Sequence, residues 1–256
     1  MKSRNFVAMA MLFFVNVAIA QLNESDTVKF QMRASLSGSW QKGNVDLLVV
    51  RGKLDFVANG NSSLVFKSQN SSLYQQFGSF KADNDIHSRN YLYFKPQQSF
   101  YPFAMFFAQT NFRRKIEYRF FGGIGLTYNV VRKANNILKL SASIVKEKTR
   151  FSSNQFNQAY YNGDNDIVLW RATVYLSGTH KIAKNKLRLY YIAYWQPAFE
   201  TIPNHRIQMD AGIEMPVWEG LSINAQYLFN YEQVVAEKIK QIDRIMAFGV
   251  AFQFKK

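Results

Sequence analysis

Apolar and polar residues alternate along most of this chain. Between residues 28 and 41, Val28, Phe30, Met32, Ala34, Leu36, Gly38 and Trp40 share one register, and Lys29, Gln31, Arg33, Ser35, Ser37, Ser39 and Gln41 share the other. Successive strand side chains point to opposite faces, so this is a strand with one greasy and one polar side. The C-terminal end repeats the pattern: Met246, Phe248, Val250, Phe252 and Phe254 alternate with small or polar residues. A last strand of alternating aromatics fits the closing strand and assembly signal of an outer-membrane barrel, although Lys255 and Lys256 follow its final Phe254.

Between these ends the period-two pattern and its breaks predict ten more strands. They fall near 45–58, 62–76, 85–95, 99–111, 115–131, 137–150, 166–179, 186–197, 204–215 and 221–231. Turns are expected at Lys42-Gly43-Asn44, Asn59-Gly60-Asn61, Pro96–Gln98, Lys133–Asn136, Ala183-Lys184-Asn185 and Pro216–Gly220, where Gly, Asn and Pro supply the turn geometry. Loops are expected at 77–84, 151–165, 198–203 and 233–240. The fifth strand is aromatic on both faces, and the sixth carries Gly122, Gly123 and Gly125, which suit a curved wall.

The fold class expected is all-β: a single antiparallel transmembrane β-barrel of about twelve strands, with short periplasmic turns and longer outer loops. An even strand number puts both termini on one side, the periplasmic one. Aromatic residues near strand ends (Trp40, Phe100, Tyr101, Phe151, Tyr160, Tyr161, Trp195 and Trp218) are expected to form interfacial girdles.

Composition supports this picture. Hydrophobic residues are 48% of the chain and aromatics 16%, yet no stretch approaches the roughly 18–20 apolar residues of a membrane helix. Residues 1–20 read as a secretion signal: Lys2 and Arg4, an apolar run from Phe6 to Val15, then Ala18-Ile19-Ala20, with cleavage expected between Ala20 and Gln21. The remaining 21–256 form one barrel domain. There is no cysteine, hence no disulfide framework and no thiol-linked lipid anchor.

The net charge of +15 falls to +13 without Lys2 and Arg4. A nucleic-acid partner is not expected, since the chain reads as exported, its charges are scattered, and no recognition motif is present. Expected partners are outer-membrane lipids and lipopolysaccharide phosphates, the barrel-assembly machinery through the C-terminal strand, and small anionic solutes.

The segments SLSGSWQKGNVD (35–46) and FFGGIGLTYNVVRKANNILKLSASIVKEKTRF (120–151) resemble the salt-induced outer-membrane protein family, a domain of unknown function. The resemblance covers most of the mature chain and rests on turn and glycine patterns. It implies an outer-membrane β-barrel and brings no catalytic residue or substrate.

Candidate chemistry lies on the polar register. Arg33, Lys53, Glu117, Arg119, Arg171, Arg188, Arg206, Asp210, Glu214 and Asp243 are expected to line the lumen, because charges are costly against lipid and cheap in a wet or paired interior. Two readings stand side by side: a narrow passive channel whose arginine excess favours anions, and a sealed, salt-bridged barrel acting in structure or interaction. A third, a barrel-wall lipid hydrolase using His87 and Ser88, is weakened because adjacent strand residues face opposite sides. No catalytic, metal or cofactor site is expected: His180 and His205 are isolated, and the glycines of strand six precede no helix.

Overall fold

The computed structural model describes residues 22–43, 46–60, 63–184 and 186–255. The expected signal peptide with its Ala20/Gln21 cleavage point, and Asn44, Asn61 and Asn185 of the turns, lie outside the described residues. Twelve strands follow in order: β1 Phe30–Gln41, β2 Leu47–Asn59, β3 Leu64–Phe77, β4 Phe80–Phe94, β5 Phe100–Asn111, β6 Ile116–Lys133, β7 Asn136–Phe151, β8 Asp166–Ile182, β9 Leu187–Pro197, β10 His205–Trp218, β11 Leu221–Glu232 and β12 Ile242–Lys255. Each pairs antiparallel with its sequence neighbours, and β12 pairs with β1 from Gln31↔Lys255 to Ser37↔Gly249 to close the barrel. Closure leaves no free edge, which is the condition for a sheet to sit in hydrocarbon.

The alternation seen in the sequence becomes an outside and an inside. Leu36, Ile124, Ile144, Val168, Phe248 and Val250 are among the exposed large apolar side chains of the outer wall. The inward register of the same strands carries buried Arg33, Arg119, Glu147, Arg171 and Gln253. A soluble protein does not expose an apolar band of this kind; a transmembrane barrel does.

The described chain begins and ends at one end of the barrel. There the connections are 60–63, 95–99, 134–135, 183–186 and 219–220, and we call it the turn end. The opposite, loop end carries the longer segments 152–165, 198–204 and 233–241. The loop at 152–165 holds one 3-10 turn, Ala159–Tyr161, and is tied to 233–241 by the Phe156↔Ala236 bridge and by a bond from Asn157 Nδ2 to Gln233 O at 2.9 Å.

Three expectations are corrected. The loop expected at 77–84 is a tight hairpin between Phe77 and Phe80: Gly78 takes φ +57°, and a bulge at Gln75/Gln76 absorbs the register change. The turn expected at Pro216–Gly220 begins later, because β10 runs to Trp218. Pro216 lies beyond the last β9 pair, Glu214↔Arg188, so no neighbour on that side needs its missing N–H. Of the expected girdle, Trp40, Phe100, Tyr160, Trp195 and Trp218 are exposed. Tyr101 and Phe151 instead point inward and are buried, and Tyr161 packs against the Phe151–Phe156 cluster.

Candidate functional site

The lumen is filled from the turn end upward. Residues 22–26 tuck inside, with Leu22 buried among Val57, Val65, Tyr93 and Tyr101. Glu24 anchors the segment. One carboxylate oxygen accepts from Lys139 Nζ at 2.7 Å and Tyr101 Oη at 3.0 Å, the other from Lys67 Nζ at 3.0 Å. Lys139 also reaches Asn23 Oδ1 at 2.7 Å, Gln31 Nε2 donates to Asn23 O at 3.0 Å, and Arg132 donates to Ser25 O at 3.0 Å. Burial alone would raise the Glu24 carboxyl, but the Lys139 and Lys67 ammonium groups outweigh it and hold it well below the ordinary glutamate range.

Above this segment, β4 and β5 turn an aromatic layer inward. Tyr91 contacts Phe107 edge-on at 5.6 Å between centroids, and Phe107 lies 4.4 Å from Phe121. Met105, Phe103 and Tyr194 complete the layer, leaving a gap of about 10 Å3, no more than one water. This explains why β5 is aromatic on both faces: one register meets lipid and the other fills the lumen.

Beside and above the layer, arginines are knotted on carboxylates. Glu147, 2% exposed, takes Arg206 Nη2 at 2.5 Å, Arg171 Nε at 3.3 Å and Arg119 Nε at 3.6 Å. Arg119 is also bidentate on Glu232, both bonds at 2.8 Å. Arg114 pairs with Asp243 at 2.8 Å, and Lys53 with Asp210 at 2.8 Å. Toward the turn end Glu214 binds both Arg33 and Arg188.

Between these knots lies an interior cavity of about 110 Å3, room for several waters or a small ion. Arg113 and Arg114 stand where it meets the loop end; Arg33, Arg188 and Glu214 stand at its floor. Its walls carry nine Lys or Arg against six Asp or Glu. The acids are engaged: Glu214, Glu232, Asp243 and Asp210 as above, Asp55 with Arg33 at 4.0 Å, and Asp85 by Asn111 Nδ2 at 2.8 Å and the Phe112 N–H at 2.9 Å. Arg51, His87 and Arg89 face the cavity with no carboxylate within 4 Å of their charged groups among the described residues. Arg89 lies over the rings of Phe107 and Tyr194, at 5.7 and 5.5 Å.

A family profile described as "Protein of unknown function, DUF481" matches residues 34–254, nearly all of the barrel. The chain belongs to that family. No curated protein matches it. Among solved structures, this DUF481 barrel is similar to the NanC porin, at 10% identity over 87% of this chain and 98% of that one, TM-score 0.49. It is also similar to the β domain of the Bordetella autotransporter BrkA, at 11% identity over 90% and 99%, TM-score 0.42. A third is the translocator domain of the autotransporter NalP from Neisseria meningitidis, at 12% identity over 88% and 87%, TM-score 0.42.

Of the residues expected to line the lumen, Arg33, Lys53, Arg119, Arg188, Arg206, Asp210, Glu214 and Asp243 border the cavity. Arg171 sits behind it, on Glu147 and the Asn204 carbonyl at 2.7 Å. Glu117 is a correction. It is the unpaired residue of a bulge between Ile116 and Tyr118, which breaks the alternation and leaves its side chain exposed on the outside. The hydrolase pair is split: His87 faces the cavity, and Ser88 faces outward and donates to Asn70 Oδ1 at 2.8 Å. Sequence reasoning missed Glu24, Lys67, Arg89, Lys139, Glu147 and Glu232. Arg89 had a legible signal, since it shares a register with His87 and Tyr91. Glu147 had none, because Lys146, Lys148 and Arg150 make the other register of that stretch equally charged.

Proposed function

We propose that this protein is an outer-membrane barrel that is closed to free solute flow and takes a small oxyanion into its basic lumen from the loop end. The loop end then faces outward and both termini the periplasm. The observation that carries the reading is the set Arg51, His87 and Arg89, which stand on the cavity wall while every acid around the cavity is engaged elsewhere. Closure rests on the Glu24 anchor, the aromatic layer and the Glu214 knot, stacked along the lumen. The role is binding or structural, not catalysis.

A second reading, a narrow anion-favouring channel, has the same cation surplus in its favour and requires residues 22–26 to leave. Outward-facing Lys146, Lys148 and Arg150 on β7 suit lipopolysaccharide phosphates, with Asp166 offsetting part of that charge at 3.0 Å from Lys148. The alternating β12 suits recognition by the assembly machinery.

The test joins two measurements on the refolded barrel. Calorimetric titration with inorganic phosphate at fixed ionic strength should saturate, and Arg89→Gln should weaken it about tenfold or more, the worth of one charge-assisted hydrogen bond. Planar-bilayer recording should be silent. Absence of saturable phosphate binding would overturn the pocket; a steady ohmic current would overturn closure and favour the channel.

A further inference from the structure

The outer wall is apolar almost everywhere along its middle, and β3 and β4 depart from this. Register sets the direction. Ser68, Asn70 and Ser72 pair with Phe56, Leu54 and Gly52 of β2, all in the outward register, while Lys67, Gln69 and Ser71 turn inward. On β4, Asn90 and Ser88 stand opposite Ser68 and Asn70, and next to outward Phe106 and Ala108 of β5. Toward the turn end this patch is bounded by Phe66 and Leu92, toward the loop end by Ile86 and Tyr74. It therefore sits within the span rather than at its rim.

Four of these side chains form a closed ring. Ser68 Oγ donates to Asn90 Oδ1 at 2.9 Å, and Asn90 Nδ2 to Ser88 Oγ at 3.0 Å. Ser88 Oγ donates to Asn70 Oδ1 at 2.8 Å, and Asn70 Nδ2 to Ser68 Oγ at 2.9 Å. The ring lowers the cost of polar groups in hydrocarbon without removing it. Each primary amide has two N–H groups and an oxygen with two lone pairs, so each keeps capacity beyond the ring. The second Asn70 N–H reaches only the Leu54 carbonyl, at 3.4 Å.

A patch with spare donors and spare acceptors, and no net charge, is complementary to itself turned through 180°. Small residues beside it permit close approach: a side chain at Gly52 would meet nothing within 4 Å, and Ser72 is its partner. We propose that the outer β3–β4 wall is the contact with a second copy of this chain, related by a two-fold axis along the membrane normal. The Asn70 and Asn90 amides pair across it. This proposal is independent of whether the lumen conducts or binds an anion.

The chain has no cysteine, so single cysteines report cleanly. With the whole barrel in lipid vesicles, Ser72→Cys should be bridged to a dimer by a short bis-maleimide, and Ile213→Cys, exposed on β10 across the barrel, should not. In detergent, Asn70→Leu together with Asn90→Leu should raise the dimer dissociation constant about a hundredfold, roughly tenfold for each amide. The same double variant should unfold no more easily in lipid, because it removes polar groups from the wall. If it does not fold, Ser72→Ile leaves the ring intact and should still separate the copies by bulk. A monomer at every concentration, equal bridging at 72 and 213, or a bridge from 72 to a different membrane protein would each overturn the proposal.

Discussion

Glu147 shows what one side chain decides here. It comes from β7 and holds arginines from β6, β8 and β10, so it ties together walls that share no local sequence. Removing one partner of a buried charge set leaves the others uncompensated, typically about 3–5 kcal/mol. Glu147→Gln should lower the unfolding free energy in lipid vesicles by about that much, measured by urea titration. Glu117→Gln, on the exposed bulge, should change it by less than about 0.5 kcal/mol. The two glutamates differ in a way that residue type does not reveal. Strict alternation reads Arg33 or Asp210 correctly because the opposite register is plainly apolar. It misplaces Glu117, because a single bulge residue inverts the face.

Among the elements, the N-terminal segment and the β3–β4 hairpin carry the largest surprises. Residues 22–26 have neither periodicity nor motif, yet they sit inside the turn end because Lys67, Lys139 and Tyr101 point at Glu24. The folded Glu24 carboxyl titrates below its ordinary value. Its contribution is therefore fully present above the ordinary glutamate range and is lost only as pH falls through the depressed value. Amide protection of residues 22–26, corrected for intrinsic exchange, should be the same at pH 6 as at pH 7 and should fall progressively below about pH 5. Glu24→Gln should reduce it about tenfold or more at pH 7, the loss of charge-assisted bonds. Equal protection in the variant would show that apolar packing of Leu22 alone seats the segment. For the hairpin, part of the polarity that made 77–84 look like a loop belongs to β4, where Asp83 turns into the lumen. A polar strand inside a barrel and a polar loop outside it have the same composition.

For the whole molecule, the decisive fact is that the sheet closes on itself through β1 and β12, which turns a two-faced sheet into a lipid-facing wall around a private interior. Ile124, 73% exposed on that wall, tests it directly. Ile124→Arg should cost about 2–4 kcal/mol of folding free energy in bilayers, measured by denaturant titration in vesicles; a negligible cost would mean that this surface does not meet lipid. The barrel, its strand number, its antiparallel order and its inside–outside assignment were readable in the chain, since side chains alternate with period two and the two environments demand opposite chemistry. What fills the interior was not. Which arginine meets which carboxylate, whether inward aromatics touch across the lumen, and where the first residues go all depend on positions set by closure, between strands far apart in sequence. Alternation states which way a side chain points; only the closed tertiary structure decides what it meets there.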